Sequence, residues 1–408
     1  MDVAFTGHMG GAAYLAAIAL GSNLFNMLYW PLGFLRMSTS GIAAQSFGAD
    51  DSREVRLSLL RPLCLSLILG LLIILFQDPI FSIYEWATAS KTDVQTIGFA
   101  RQYFSILVWG APAMLAGYAF AGWFIGLGEA KKAMWTAIAI NVCNFTASFI
   151  LVVGFSMKIS GVAIGTLVAQ WVGLIIAMIL AVKPFGGLKA SLEGFMAHRQ
   201  WAKIWVVNRD LFLRTICLAA VTLWFTREGA RQGDVMLGAN ALLMQMFIFF
   251  SYFSDGLAYA AESLVGRCIG AKDDEGFRLT IRRVIKWGGV LAVIFSVLYF
   301  AAGEWILGLL TDNQDTVASA SQYIPWIVIV PIVSFGAFAY DGVMVGATAS
   351  RDMLGSVGIG ALLFFVCYYS GTALGLTANS SLWTAFIVYL LARSLYGVVW
   401  TMRLKPVS

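Results

Sequence analysis

Apolar stretches of about twenty residues recur along the chain and are separated by short polar turns, the pattern of helices that cross a bilayer. They predict helices at 12–47, 57–77, 98–127, 133–155, 161–182, 208–226, 236–269, 284–303, 320–347, 353–371 and 382–402. Several exceed one crossing and must tilt or run on past the membrane. The one long connection, at 183–207, carries basic residues, His198 and Gly186-Gly187. It divides the chain into an N-terminal lobe at 1–185, a cytoplasmic linker at 186–207 and a C-terminal lobe at 208–408. The expected fold class is an all-α polytopic membrane protein.

Composition agrees with this pattern. Of 408 residues, 60% are hydrophobic and 12% charged, where a soluble domain carries about twice that charge. The net charge of +5 is not gathered into one stripe, so nucleic acid is not an expected partner. Lys and Arg follow membrane topology instead. With the 12–47 run counted as a second helix, 18 of the 27 basic residues fall in loops after even-numbered helices or in the C-terminal tail. That excess places those loops and the C-terminus in the cytoplasm, and a bacterial inner membrane is the expected location. The five cysteines sit in or beside apolar runs without a CxxC pair, which reads as packing rather than disulfide or metal chemistry. The first apolar run lacks the basic lead of a cleavable signal peptide.

An internal repeat is visible. Gly48-Ala49 followed by Asp51 returns as Gly270-Ala271 followed by Asp273, and Gly122 with Gly126 returns as Gly342 with Gly346. Two matches at nearly one offset predict two halves of six crossings each, with a substrate path between them. On that count the first half is one helix short, and residues 1–6 look like the tail of a missing first helix. GxxxG alone is common in membrane helices, so the weight rests on the agreement of both offsets.

Ionisable residues inside apolar runs are the candidate chemistry, because each is costly there. Asp255 and Glu262 are seven residues apart in SYFSDGLAYAAESLVG, two helical turns on one face. Asp341 lies in FAYDGVMVGATASRDM, after a run in which Pro325 and Pro331 permit a bend, and bending frees carbonyls that can hold a cation or proton. Asp2 joins them if a helix precedes it. A structural reading stands beside each: Asp255 and Glu262 packed against Arg36, Arg61 or Arg214 rather than transporting, Asp341 buried for structure alone, and Asp2 an exposed terminal residue. Asn144 shares a face with Asn141, and Asn144, Tyr340, Met244 and Gln245 are candidates to line a cavity. His8 and His198 both read as loop residues, so no metal set is expected in the membrane. There is no GxxxxGK[ST] phosphate loop, so no cofactor is expected and pumping must draw on an ion gradient.

The segments DVAFTGHMG at 2–10, LRMSTSGIAAQSFGA at 35–49, DGLAYAAESLVGRCIGA at 255–271 and DGVMVGATASRDM at 341–353 together resemble the multidrug and toxic compound extrusion (MATE) family of the DinF type, across essentially the whole chain. The resemblance implies twelve helices in two six-helix lobes forming a V around a central cavity. It implies exchange of H⁺ or Na⁺ for amphipathic, often cationic, compounds by a monomeric antiporter that is not an enzyme. By the family's motifs, the acid ending helix one falls on Asp2 and the helix-ten acid on Asp341, with Asp255 and Glu262 on helix eight. Three departures stand out. Most of helix one is absent before Asp2, which implies a misplaced start codon with Met1 where a valine belongs. The acids that some members carry on helices seven and five have no counterpart in 211–226 or 133–155. A lipid-linked oligosaccharide flippase, an intramembrane enzyme and a non-transporting membrane protein are the alternatives.

Overall fold

The computed structural model describes residues 12–88, 93–185 and 194–403, almost all of them helical. In chain order the helices are α1 (Ala12–Tyr29), α2 (Phe34–Gly48), α3 (Ser52–Leu75), α4 (Gln77–Thr88), α5 (Val94–Leu107), α6 (Ala111–Gly126), α7 (Ala130–Phe149), α8 (Lys158–Phe185), α9 (His198–Ala230), α10 (Asp234–Gly270), α11 (Asp274–Leu310), α12 (Gln314–Ser321), α13 (Ile324–Gly346), α14 (Ser350–Ala373) and α15 (Ala378–Arg403). Ten spans among the described residues are long and apolar enough to cross a membrane. Side chains such as Phe300 and Leu71 are more than half exposed in the middle of such spans, as lipid-facing residues are. The chain is an all-α, multi-pass membrane protein.

Prolines account for two of the breaks. Pro31 opens a single 3-10 turn between α1 and α2, so the 12–47 run is two helices. Pro112 sits in the first turn of α6, where a missing N–H costs nothing. Pro331 lies inside α13 without ending it. Nearby, the Ser296 hydroxyl donates to the Val328 carbonyl at 2.7 Å.

The largest correction concerns α9. The apolar pattern places it at 208–226, but it runs from His198 to Ala230. His198 therefore opens a helix instead of lying in a loop, and the expected linker at 186–207 is helical from His198 onward. The only apolar residues that the early turns bury are Ile204, Val207 and Leu211, with Asn208 and Asp210 buried among them. That narrow amphipathic stripe has no continuous apolar run to announce it.

Two compact units form. The first runs up to Ala43 and from Asp51 to Trp201, and the second holds Ala44–Asp50 and everything from Ala202 onward. In the first, Phe120, Trp123 and Phe124 pack with Val55, Leu59 and Ala177, and the Trp123 indole donates to the Val55 carbonyl at 2.9 Å. Arg61, 1% exposed, pairs with Glu54 at 2.8 Å and donates to the carbonyls of Gly194 at 2.8 Å and Phe195 at 3.3 Å. It ties the segment before α9 to α3. In the second, Phe225, Phe250, Phe295, Phe364, Trp383 and Phe386 build a larger aromatic core.

Equivalent devices recur in the two units. Asp51 caps α3 by accepting from the Arg53 and Glu54 amides, and Asp273 caps α11 by accepting from the Gly276 amide. The residues just before these caps, Asp50 and Lys272, both take positive φ, 53° and 57°. After α6, Gly128 takes φ 67°, and Thr348 repeats it after α13 at 53°. A side chain costs about 1–2 kcal/mol in this conformation, so only Gly128 adopts it freely. Gly122 packs on the Arg36 carbonyl of α2, and Gly342 on the Ala258 carbonyl of α10. Within the second unit, Gly48 meets the Arg267 carbonyl and Gly270 meets the Gln45 carbonyl. A Cβ at any of these four would collide with backbone, which is the reason small residues mark helix crossings in lipid.

Candidate functional site

Three helices of the second unit meet at one carboxylate. α13 packs against α10, α11 and α15, and Asp341 is its one charged residue. Gly397 lets α15 approach closely, because its missing Cβ makes room for the Tyr340 ring. Ser394 of α15 also donates to the Val333 carbonyl at 2.6 Å. This approach brings Arg393 to Asp341: Nη2 donates to Oδ2 at 2.7 Å. From α9, Arg214 Nη2 donates to the same oxygen. The side chains of Asp341, Arg214 and Arg393 are only 14%, 10% and 6% exposed.

Tyr389 completes the cluster one turn before Arg393. Its hydroxyl accepts from Arg393 Nη1 at 3.3 Å, and its ring centroid lies 5.3 Å from the guanidinium carbon, a cation–π distance. The Nε atoms of Arg214 and Arg393 are buried without a hydrogen-bond partner. Chemically this is one carboxylate bridging two guanidiniums from different helices. Any agent that neutralises the carboxylate loosens both links together.

Of the arginines expected to pair with Asp255 and Glu262, Arg214 pairs with Asp341 and Arg61 with Glu54. Glu262 is 2% exposed and Asp255 half-buried on α10, the helix packed on α13, and the Glu262 carbonyl is a neighbour of Gly346. Asn144 belongs to the first unit and donates to the Thr166 hydroxyl at 2.8 Å. Tyr340 is buried against Gly397, Met244 packs on the second core, and Gln245 is exposed. Asp2 and His8 lie outside the described residues. The candidates thus gather on α10 and α13, with Asn144 apart.

Two further buried acids stand at the two ends of the apolar window expected for α9, Asp210 just inside it and Glu228 just beyond it, where an acid reads as a helix-end residue. Asp210, 1% exposed, accepts from Arg209 at 2.8 Å and from the Ser350 hydroxyl at 2.9 Å. Glu228, 6% exposed, accepts from the Tyr368 hydroxyl at 2.9 Å and pairs with Arg231 at 3.3 Å. The segment 211–226 indeed lacks an acid, but α9 itself carries one at each end of it. In the same unit, Asn240 donates to Asn379 at 2.7 Å and accepts from the Trp383 indole at 2.9 Å. The i, i+3 relation of Glu228 to Arg231 was the available signal.

Comparison with known proteins places this architecture. The MatE family model matches residues 1–150 and 211–370. DNA damage-inducible protein F of Escherichia coli is 32% identical over 403 residues, covering 98% of this chain and 87% of the relative. Human multidrug and toxin extrusion protein 1 is 21% identical, covering 90% of this chain and 62% of that protein. Among solved structures, a MATE crystal structure in a bent conformation superposes with a TM-score of 0.88 at 19% identity, covering 98% of this chain and 90% of that one. A Vibrio cholerae MATE transporter gives a TM-score of 0.82 at 16% identity over the same shares. With the family model matched over both halves and a relative aligned nearly end to end, the chain belongs to the MATE family, the membrane transporters of multidrug and toxic compound extrusion.

Proposed function

We propose that this transporter exports amphipathic small molecules, many of them cationic, from the cytoplasm across a bacterial inner membrane, working as a monomer driven by inward H⁺ or Na⁺. The C-terminus is cytoplasmic by the distribution of basic residues. The names of relatives support the substrate class: one is a probable multidrug resistance protein, another a multidrug and toxin extrusion protein.

The observation that carries the coupling is the sharing of Asp341 between Arg214 of α9 and Arg393 of α15. A proton or Na⁺ taken up by the carboxylate competes with both guanidiniums. One binding event then changes how three helices are held together. A ligand shifts a conformational equilibrium only through different affinities for the two states, and the paired and unpaired carboxylate supply that difference. Asp255 and Glu262 on the adjoining α10, and Asp2, are the further acids assigned to ion or substrate binding.

The test uses the full chain in proteoliposomes with an imposed pH or Na⁺ gradient and ethidium as the transported cation. Wild-type protein moves ethidium only when a gradient is present. Asp341→Asn, inserted at the same level, moves none. Gradient-driven transport by that variant at the wild-type rate overturns the coupling role.

A further inference from the structure

α11 turns one face inward and the other to its surroundings. Its buried residues include Val284, Gly288, Ala292, Phe295 and Tyr299, which share one face at helical spacing. On the opposite face Val290, Val293, Ile294, Val297 and Phe300 are all exposed. In a membrane helix such a stripe meets acyl chains.

Two tryptophans set its depth. Trp287 and Trp305 are 59% and 68% exposed. They stand eighteen residues apart, about 27 Å along a helix, close to the roughly 30 Å hydrocarbon core of a bilayer. Tryptophan prefers the level of the head groups, so Trp287 marks one membrane surface and Trp305 the other.

Three cations lie just outside Trp287. Arg282, Arg283 and Lys286 are exposed and fall within about 100° of one another around the helix, in line with Val290, Val293 and Val297. The acids of this stretch sit further from the bilayer. Asp273 caps the helix, Asp274 holds Arg278 at 2.9 Å, and Glu275 precedes Arg282 by two turns, about 10 Å along the axis. Among the described residues, none of the three cations enters an ion pair.

The fold does not require this charge. α3 starts from the matching cap, Asp51. At the offset of 222 that relates Asp51 to Asp273, Leu60, Arg61 and Cys64 stand where α11 has Arg282, Arg283 and Lys286, and Leu65 stands in place of Trp287. Arg61 is buried on Glu54. α3 also exposes apolar residues, among them Leu67, Ile68, Leu71 and Leu75, yet that stripe has no basic head.

We propose that Arg282, Arg283, Lys286 and Trp287 form a binding site for the phosphate head group of an anionic phospholipid, whose acyl chains lie along Val290, Val293 and Val297. Guanidiniums match phosphate with paired donors, and lysine adds a mobile point charge. The charge of the site and its depth at the head-group level both select a lipid. The inference concerns the lipid that surrounds the transporter and stands whichever solute and ion it moves.

The test uses the full chain in phosphatidylcholine vesicles, into which brominated phosphatidylglycerol or brominated phosphatidylcholine is titrated at constant ionic strength. Quenching of Trp287 is read as the difference between wild type and Trp287→Phe. Half-maximal quenching is expected at a content of the brominated anionic lipid at least about fivefold lower, the worth of one Lys or Arg near a charged surface. Arg282→Gln/Arg283→Gln/Lys286→Gln is expected to make the two lipids equal. Arg351→Gln/Arg403→Gln, which removes two exposed cations elsewhere, is expected to leave the preference unchanged. Equal quenching of the wild type by both lipids overturns the site, as does a preference that survives the triple substitution or is lost in the control. If the triple variant does not insert, Lys286→Gln alone is expected to halve the preference or more, and an unchanged preference there overturns the site. Added inorganic phosphate is expected to have no effect; loss of the preference to it assigns the site to a free anion and overturns the lipid.

Discussion

The two units solve one packing problem with different chemistry. In the first, α6 crosses α2 at Gly122 on the Arg36 carbonyl; in the second, α13 crosses α10 at Gly342 on the Ala258 carbonyl. The residue before each glycine differs: Ala121 in one, Asp341 in the other. Gly173 of α8 stands where α15 carries Arg393, and Ala169 where α15 carries Tyr389. The first crossing has no acid at that position: its cation, Arg36, lies near Tyr118 of α6, and Gly173 meets Ile140 of α7. The charged cluster of the second therefore exceeds what the fold needs, and a costly feature that the fold does not need is a functional candidate. The difference separates two roles: the glycines carry the architecture, and the acid and its arginines are the groups to which the proposed exchange is assigned.

The comparison can be broken in order of expected effect. The largest contrast is in transport: Asp341→Asn should lower gradient-driven ethidium flux in proteoliposomes at least tenfold, while Ala121→Ser at the matching position stays within about twofold of wild type. Next is Arg61 of the first unit, which serves structure. Arg61→Gln leaves the half-buried Glu54 carboxylate and the Gly194 and Phe195 carbonyls without their partner, so a loss of about 1–3 kcal/mol is expected, read as a lower melting temperature and faster proteolysis in the segment before α9. The glycines come third and should behave alike. Gly122→Val and Gly342→Val force a side chain against backbone, each costing about 1–3 kcal/mol, and similar falls in thermal stability are expected from both. The smallest effect is Tyr389→Phe, which removes one long hydrogen bond from Arg393; about 0.5–1.5 kcal/mol is expected, with the melting temperature barely moved.

Much of the architecture was legible because lipid imposes a simple code. Apolar length marked the crossings, and Gly48, Gly122, Gly270 and Gly342 marked the repeat before any contact was known. Asp51 and Asp273, noted only as repeat markers, prove to be matching helix caps. The early turns of α9 were not legible, because Ile204, Val207 and Leu211 make a stripe and not a run. Asp210 and Glu228 stood at the two ends of the expected α9, where an acid reads as a terminal residue, and their burial comes from contacts with Ser350 and Tyr368 of α14. Asp341 stood out as a charge in an apolar helix, yet its partners did not follow from spacing. Arg214 and Arg393 are 127 and 52 residues away in sequence, and only the close approach of α15 at Gly397 unites them. Whether an intramembrane acid is solitary or clamped is a tertiary fact.

The most direct measurement of the central claim counts what leaves the protein when substrate binds. Ethidium is titrated into the detergent-solubilised full chain in weakly buffered solution, with released protons followed by a pH electrode and released sodium by a radioactive tracer. If Asp341 exchanges its cation for substrate, the wild type releases protons or Na⁺ as ethidium binds, and Asp341→Asn binds ethidium with that release lost. Undiminished release from Asp341→Asn, or none from the wild type, contradicts the account.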